Sequence, residues 1–450
     1  MPKIEGEDAR SASASAKLAR RLGVFDAVMI VMGGIVGSGI FVNPYVVARQ
    51  VHTVPLILGA WVAGGLMALA GAFIYAELAS LKPDLGGQYA YLREAYHPSV
   101  AFLYGWALLF VIQTGGMAGV AVTFAHYFRE IVPTRASDSA IAIAALIGLT
   151  LINCLGVRSG STVQSILMIL KIGAIAILVG AGFLAAPSHT ATAAPLWPHT
   201  NPLFAFAAAV TPVFFAYGGW QTASFMAGEM RDPRRDLSRA MLIGVLGVIT
   251  IYLAVNIVCL RVLGTQGLAA TTAPAFTVMQ RAVGQRGALF MSITIGVSTL
   301  GFLSQGMLTA PRVYFAMAQD GLFFRWIAWV PKATRAPAAA ILMQGALASV
   351  IALSGEYEQI LNYVVSMDFI FFGLTGASLF IFRKRLAATG LQSKSHATPG
   401  HPYTTIFFVA VCWLVVLGTF YNYPKNSFTG LGLLLLGVPV YLFWSRRLSN

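Results

Sequence analysis

The sequence predicts an all-α integral membrane protein of twelve transmembrane helices, arranged as a five-plus-five inverted repeat with two extra helices. Three observations carry the prediction: serial apolar runs of membrane-spanning length, basic residues crowded on alternate loops, and two glycine-broken helices five spans apart. Of 450 residues, 57% are hydrophobic and only 10% are charged, and the mean hydropathy is +0.74. A soluble chain carries roughly 25% charged residues, so this one lacks the polar surface to remain in water.

A transmembrane helix needs roughly 20 mainly apolar residues. Such runs occur at 24–50, 54–81, 99–128, 138–156, 161–186, 203–229, 240–262, 287–313, 337–355, 360–382, 404–421 and 428–445. With the N-terminus inside, 22 Lys and Arg fall on inner segments and 7 on outer ones, with Lys171 left within a span. Basic residues favour the cytoplasmic side, so both termini are expected in the cytoplasm, in a multi-pass protein of the plasma (inner) membrane. The net charge of +14 is then a record of topology rather than a nucleic-acid footprint. The expected organisation is a cytoplasmic tail at 1–23, a first repeat at 24–186, a second at 203–382, and helices eleven and twelve with the C-terminal tail at 383–450. The first 23 residues are polar and hold no apolar core of a signal peptide. Cys154, Cys259 and Cys412 lie in three different apolar runs, which argues against a disulfide framework or a metal cluster.

The third observation is local. Gly33-Gly34-Ile35-Val36-Gly37-Ser38-Gly39 places four glycines in the middle of the first span, each costing a helix about 1 kcal/mol against alanine. Phe215-Ala216-Tyr217-Gly218-Gly219-Trp220 places two glycines between aromatics in the middle of the sixth. Taken alone, Gly33-x-x-x-Gly37 fits close helix packing. The pair suggests more, because unpaired backbone at membrane depth is tolerated only where it lines a cavity or meets protein. Five intervening helices invert the second break relative to the first, the pattern of inverted-repeat transporters with discontinuous helices. Freed amides and the positive end of a half-helix can hold a carboxylate, and freed carbonyls can hold an ammonium. A zwitterionic amino acid needs both.

Four stretches carry a resemblance: Ile35 to Pro44 (IVGSGIFVNP), Tyr75 to Tyr91 (YAELASLKPDLGGQYAY), Phe215 to Pro233 (FAYGGWQTASFMAGEMRDP) and Arg312 to Gly321 (RVYFAMAQDG). In these the chain resembles the amino acid–polyamine–organocation superfamily and, within it, the L-type amino acid transporters and their bacterial relatives, over roughly residues 22–445. The resemblance implies the inverted-repeat fold with broken helices one and six. It implies that a substrate carboxylate meets amides around Gly37, Ser38 and Gly39, and a substrate amine meets carbonyls near Ile35 and Phe215. Ala216, Tyr217, Gly218 and Trp220 complete the implied substrate-binding set, with Phe215 at the aromatic gate position. Animal members that pair with a glycoprotein heavy chain carry a cysteine in the loop after helix three. The loop Arg129 to Asp138 has none, so no disulfide-linked heavy chain is expected.

Lys171 lies mid-span in helix five, where a charge is expensive and functional by default. The resemblance places it where sodium-coupled relatives bind sodium, so its ammonium could substitute for the ion; Ser304 is grouped with it as an ion-site or coupling residue. Asp368, in helix ten, could face a cationic substrate, pair within the protein or assist gating. Glu77 and Glu229, near helix ends, suit structural pairing with loop arginines. Spans three and eight contain no carboxylate, which favours a neutral substrate; Ser298, Thr299 and Ser304 are candidate pocket residues on helix eight.

The expected function is therefore sodium-independent, alternating-access transport of small neutral L-amino acids, by exchange or facilitated transport. The alternative is a proton-coupled symporter or exchanger of cationic amino acids or polyamines that relies on Asp368. No cofactor and no metal site are expected, and the partners are a small amino acid and the lipid bilayer, with no nucleic acid. An enzyme would need clustered acids, His or Cys facing one cavity, and a channel a filter or charged ring; the sequence displays neither.

Overall fold

The computed structural model describes residues 18–188, 202–354, 357–388 and 397–448. Among these it is helical, with no β-structure beyond one isolated bridge between Leu22 and Met230. The first broken span comprises α1 (Val24–Ile35) and α2 (Gly39–Gln50), bent by 43°. Next come α3 (Val54–Leu81), a short α4 (Gln88–Ala95), and a span made of α5 (Pro98–Ala107), a π-segment at Leu108–Gln113 and α6 (Thr114–Ile131). They are followed by α7 (Asp138–Cys154) and α8 (Val157–Leu184). The second half opens with α9 (Pro202–Ala216), which gives way to a 3-10 helix at Trp220–Glu229. It continues through α10 (Pro233–Ala270), α11 (Pro274–Val283), α12 (Gln285–Thr309), α13 (Pro311–Gln319), α14 (Ala338–Ser354) and α15 (Tyr357–Ala388). The last helices are α16 (Tyr403–Asn422), α17 (Pro424–Leu435) and α18 (Gly437–Leu448).

Among the described residues, eight helices or continuous helix pairs are long and apolar enough to cross a membrane, and the bent pair α1–α2 makes a ninth. The predicted spans 138–156 and 337–355 form helices of 17 residues each, or about 26 Å at 1.5 Å per residue, just short of a hydrocarbon core of about 30 Å. The sixth span is divided between 15 residues of α-helix and 10 of 3-10 helix. The chain is thus an all-α, multi-pass membrane protein, with eight or nine membrane-length spans among the described residues and with both broken helices interrupted at the predicted glycines.

Burial along α8 explains how a lysine is accommodated. Gln164, Met168, Lys171, Ile175, Leu178 and Gly182 recur at helical spacing and are buried. Ile166, Ile169, Leu170 and Ile177, on the opposite side, are half exposed and form an apolar face suited to lipid. Local chemistry sets several helix starts. Ser137 Oγ accepts from the Ala140 amide at 3.2 Å at the start of α7, and Asp232 precedes Pro233 as the N-cap of α10, each meeting amides that have no acceptor in their own helix.

Polar residues from three of the four stretches that carried the resemblance form a network of pairs. Arg312 and Glu229, both fully buried, pair through Nε and Nη2 at 2.9 and 3.2 Å. Glu77 receives Arg383 through two bonds of 2.8 Å and the Thr398 amide at 2.7 Å. Asp320 receives the Tyr89 hydroxyl at 2.8 Å and pairs with Arg93. The carbonyl of Glu229 accepts from the amides of Arg21 and Leu22 at 2.9 and 3.1 Å, and the Arg231 amide returns to the Leu22 carbonyl at 3.0 Å. The segment before α1 is thereby laced to the end of the second broken span.

Candidate functional site

The two breaks meet back to back. α1 ends at Ile35, with Val36 as its C-cap, and Ser38 is the N-cap of α2. α9 ends at Ala216, and Gly219 takes a left-handed φ of 105° before the 3-10 helix begins. A methyl group at Gly219 would fall 2.1 Å from the Gly34 carbonyl oxygen, and one at Gly34 would fall 2.6 Å from the Gly219 carbonyl oxygen. The requirement for glycine is therefore strictest at Gly34 and Gly219, where backbone touches backbone. At Gly37 and Gly39 a methyl group would find ordinary contacts, 3.7 Å from Phe302 and 3.5 Å from Asn43.

Between the breaks lies a cavity of about 220 Å³, smaller than the roughly 300–1,000 Å³ of pockets for drug-sized ligands and suited to a small solute. Gly34, Ile35, Gly37, Ser38 and Gly39 form one wall, and Phe215, Ala216, Gly218 and Gly219 another. The amides of Ser38 and Gly39 open α2, and the first amides of a helix have no intrahelical acceptor; they form a positive corner for a carboxylate. Carbonyl oxygens at the end of α1 and α9 each carry two lone pairs. Tyr252 Oη, on α10, lies 3.0 Å from both the Ile35 and the Ala216 carbonyls, so its single proton is shared between the two breaks and both oxygens keep acceptor capacity for an ammonium.

Of the sequence-predicted substrate residues, Ile35, Gly37, Ser38, Gly39, Phe215, Ala216 and Gly218 line this cavity. Tyr217 and Trp220 do not; both are buried behind it. The Tyr217 ring lies 4.9 Å from that of Tyr252, and the Trp220 ring 4.7 Å from that of Tyr75, edge-on. Phe215 is 45% exposed. Asp368 lies on the cavity wall beside Phe369 and Phe372.

Lys171 sits behind the first break, fully buried. Its ammonium donates to the carbonyl of Val36, the C-cap of α1, where a helix presents its partial negative charge. Gly301 on α12 leaves it room: a methyl group there would lie 3.2 Å from Lys171 Nζ. Ser298 Oγ donates to the Gly37 carbonyl at 3.1 Å, so a second side chain holds the same break. Thr299 turns back to its own helix, bonding the Ile295 carbonyl at 3.0 Å. Ser304 is buried, and its hydroxyl has no partner among the described residues.

Sequence reasoning missed several wall residues: Gln113, Gln221, Thr222, Phe302 and Gln305. Gln221 Oε1 accepts from the Gly219 amide at 3.0 Å, and Thr222 Oγ1 donates to the Gly219 carbonyl at 2.6 Å. Gln305 Nε2 donates to the Thr222 hydroxyl, tying α12 to the second break. A signal existed for Gln305, which lies seven residues after Ser298 and hence on the same helix face. None existed for Gln113, which a π-turn delivers to the cavity; such turns gather at functional sites. No group of three or more potential metal ligands occurs among the described residues.

The family model described as amino acid permease matches residues 22–444. The chain is 30% identical to the serine/threonine exchanger SteT of Bacillus subtilis (strain 168), over 96% of this chain and 98% of that one. It is 27% identical to the human large neutral amino acids transporter small subunit 2, over 98% of this chain and 84% of the relative. It is 29% identical to the human b(0,+)-type amino acid transporter 1, over 81% and 76% respectively.

Proposed function

From the premise that the chain belongs to the amino acid permease family, we propose that it exchanges small neutral L-amino acids across the plasma membrane, independently of sodium. Amino acid transport itself follows from the family, and the protein is a carrier rather than an enzyme. The finer reading has one main support: a 220 Å³ cavity with half-helix amides on one wall and break carbonyls on the others. The substrate carboxylate lies on the amides of Ser38 and Gly39, beside Gly37. Its ammonium lies among the carbonyls that follow Gly34 and Phe215. Phe215 covers the mouth, and the side chain points towards Phe302 and the Asp368 wall.

The small volume favours substrates such as alanine, serine and threonine over large ones, and a relative named as a serine/threonine exchanger agrees in size and chemistry. Sodium independence is supported by Lys171, whose ammonium already occupies the carbonyl of Val36. Residues 24–186 and 203–382 act as two inverted five-helix repeats, with 383–450 adding the last two of twelve spans and both termini cytoplasmic. No disulfide-linked heavy chain is part of this reading. Counterflow tests it: proteoliposomes loaded with unlabelled serine should accumulate labelled serine or alanine equally in sodium and in choline buffer. Uptake that ignores internal amino acid, or that needs sodium, overturns the exchange reading.

A second reading has one observation in its favour. Asp368 brings a carboxylate to the cavity wall, where a cationic side chain or a polyamine would find a counter-charge. Competition of serine counterflow by lysine and by putrescine separates the two readings.

A further inference from the structure

Away from the substrate cavity, at the end of the bundle where the segment before α1 meets the start of α8, lies a second cavity of about 510 Å³. It is lined by Arg21, Leu22, Asp26, Arg158, Ser161, Thr162 and Arg231. Three guanidiniums face it from three separate elements, and none of them forms an ion pair among the described residues. Asp26 is the one carboxylate on the wall, and it is held by the Gly23 amide at 3.0 Å. The site therefore keeps a surplus of positive charge. Planar guanidiniums bind phosphate oxygens through paired, charge-assisted hydrogen bonds, and the Thr162 hydroxyl adds a further donor.

A neighbouring cavity of about 540 Å³ shares Arg21, Arg158 and Thr162 and continues over Ile152, Leu155 and Val163. Leu155 is 67% exposed, and Leu151, one turn before it, is 57% exposed; on a membrane protein this apolar surface faces acyl chains. A polar, cationic chamber opening onto an apolar groove matches a molecule with an anionic head and a hydrocarbon tail. We propose that Arg21, Arg158 and Arg231 bind the phosphate headgroup of an anionic phospholipid whose acyl chain follows the Ile152–Leu155 groove.

The position gives the site a consequence. Arg21 and Leu22 are bonded through their amides to the Glu229 carbonyl, and Arg231 to the Leu22 carbonyl. A headgroup bridging Arg21 and Arg231 would hold the segment before α1 against the end of the second broken span. Bound lipid would therefore favour the arrangement in which this end of the bundle is closed. Because the guanidiniums are exposed at the surface, the attraction falls as salt rises.

The test uses the full chain purified in phosphate-free, uncharged detergent. It is titrated with short-chain phosphatidylglycerol, with phosphatidylcholine of the same chain length, and with inorganic phosphate at matched ionic strength, and the melting temperature is followed. Phosphatidylglycerol should raise it saturably by several degrees, and the other two should do much less. The double variant Arg158→Gln/Arg231→Gln should lose that increment. Arg158→Lys preserves the charge and should fold; there the half-saturating phosphatidylglycerol concentration should rise about tenfold, the equivalent of one charge-assisted hydrogen bond. Equal increments in wild type and both variants, or an increment from inorganic phosphate equal to that from phosphatidylglycerol, would overturn the proposal. Serine counterflow measured on the same preparations is a separate readout, so failure here leaves the transport reading standing.

Discussion

Gly219 faces the carbonyl of Gly34 so closely that a methyl group on it would lie 2.1 Å from that oxygen. Its φ of 105° adds a second bar to any other residue, since side chains are strained in that region. Gly219→Ala should therefore force the two breaks apart at the cavity, with backbone strain alone costing of order 1–3 kcal/mol. Counterflow should be nearly abolished. Gly173→Ala is the control, because a methyl group at that position meets nothing within 4 Å. Wild-type transport by the Gly219 variant would show that the breaks need not touch.

Tyr252 makes the complementary prediction. Its hydroxyl is 3.0 Å from the carbonyls of Ile35 and Ala216, while its ring meets Trp61 edge-on at 5.4 Å. Tyr252→Phe keeps the ring and removes the donor. An unmade buried hydrogen bond costs about 1–3 kcal/mol, and the loss falls on the carbonyls at the two breaks. Maximal exchange rate should drop by roughly tenfold or more, the kinetic equivalent of about 1.4 kcal/mol, with a clear loss of thermal stability. A variant with unchanged rate and stability would reduce Tyr252 to a packing residue.

These predictions also mark what the sequence discloses. The break in the first span was legible because four glycines in seven residues defeat a helix, and the position of Lys171 was legible because charge is rare at membrane depth. That Glu229 and Glu77 pair with arginines was legible from acids near helix ends, but the partners, expected in loops, lie on helices: Arg312 on α13 and Arg383 on α15. The back-to-back contact of Gly34 with Gly219 was hidden, because it depends on how two distant spans cross. Tyr217 and Trp220 flank the second break in sequence, yet the turn at Gly219 sends their rings away from the cavity. Gln113 was hidden because one extra residue in a π-turn rotates the helix face. Periodicity assumes 3.6 residues per turn and cannot register such a turn. The short helices α4 and α11 escaped a search for membrane-length runs.

The pair of Arg312 and Glu229 is buried completely on both sides. Removing one partner of such a pair costs about 3–5 kcal/mol, because the other charge is left uncompensated, whereas replacing both by apolar groups is often close to neutral. Glu229→Gln should therefore lower thermal stability severely. Arg312→Met/Glu229→Leu should recover much of it, as measured by detergent-solubilised melting. If the double variant is stable but slow in counterflow, the pair governs motion of the second broken span rather than its folding. A single variant as stable as wild type would be inconsistent with the buried pairing.

Lys171 poses the sharpest question, because the same ammonium could be a fixed strut or a proton carrier. It donates to the Val36 carbonyl at the end of α1, where a cation opposes the negative end of a helix by up to about 2 kcal/mol in favourable geometry. Lys171→Met keeps most of the volume and so avoids the cavity that a truncation leaves, while removing the ammonium from the Val36 carbonyl. Stability should thus fall modestly, while exchange slows by roughly tenfold or more if the charge supports the break during turnover. Lys171→Ala adds a cavity and should be less stable than the Met variant. As a strut, the lysine permits wild-type exchange with no proton gradient, and both variants are slow with or without one. As a carrier, it makes wild-type uptake respond to an inward proton gradient, and the Met variant loses that response. The contact with a helix-end carbonyl favours the strut, and sodium should not stimulate wild-type uptake, because the ammonium already meets the oxygen that a cation would seek. A Met variant that transports at the wild-type rate, with and without a gradient, would remove Lys171 from the mechanism.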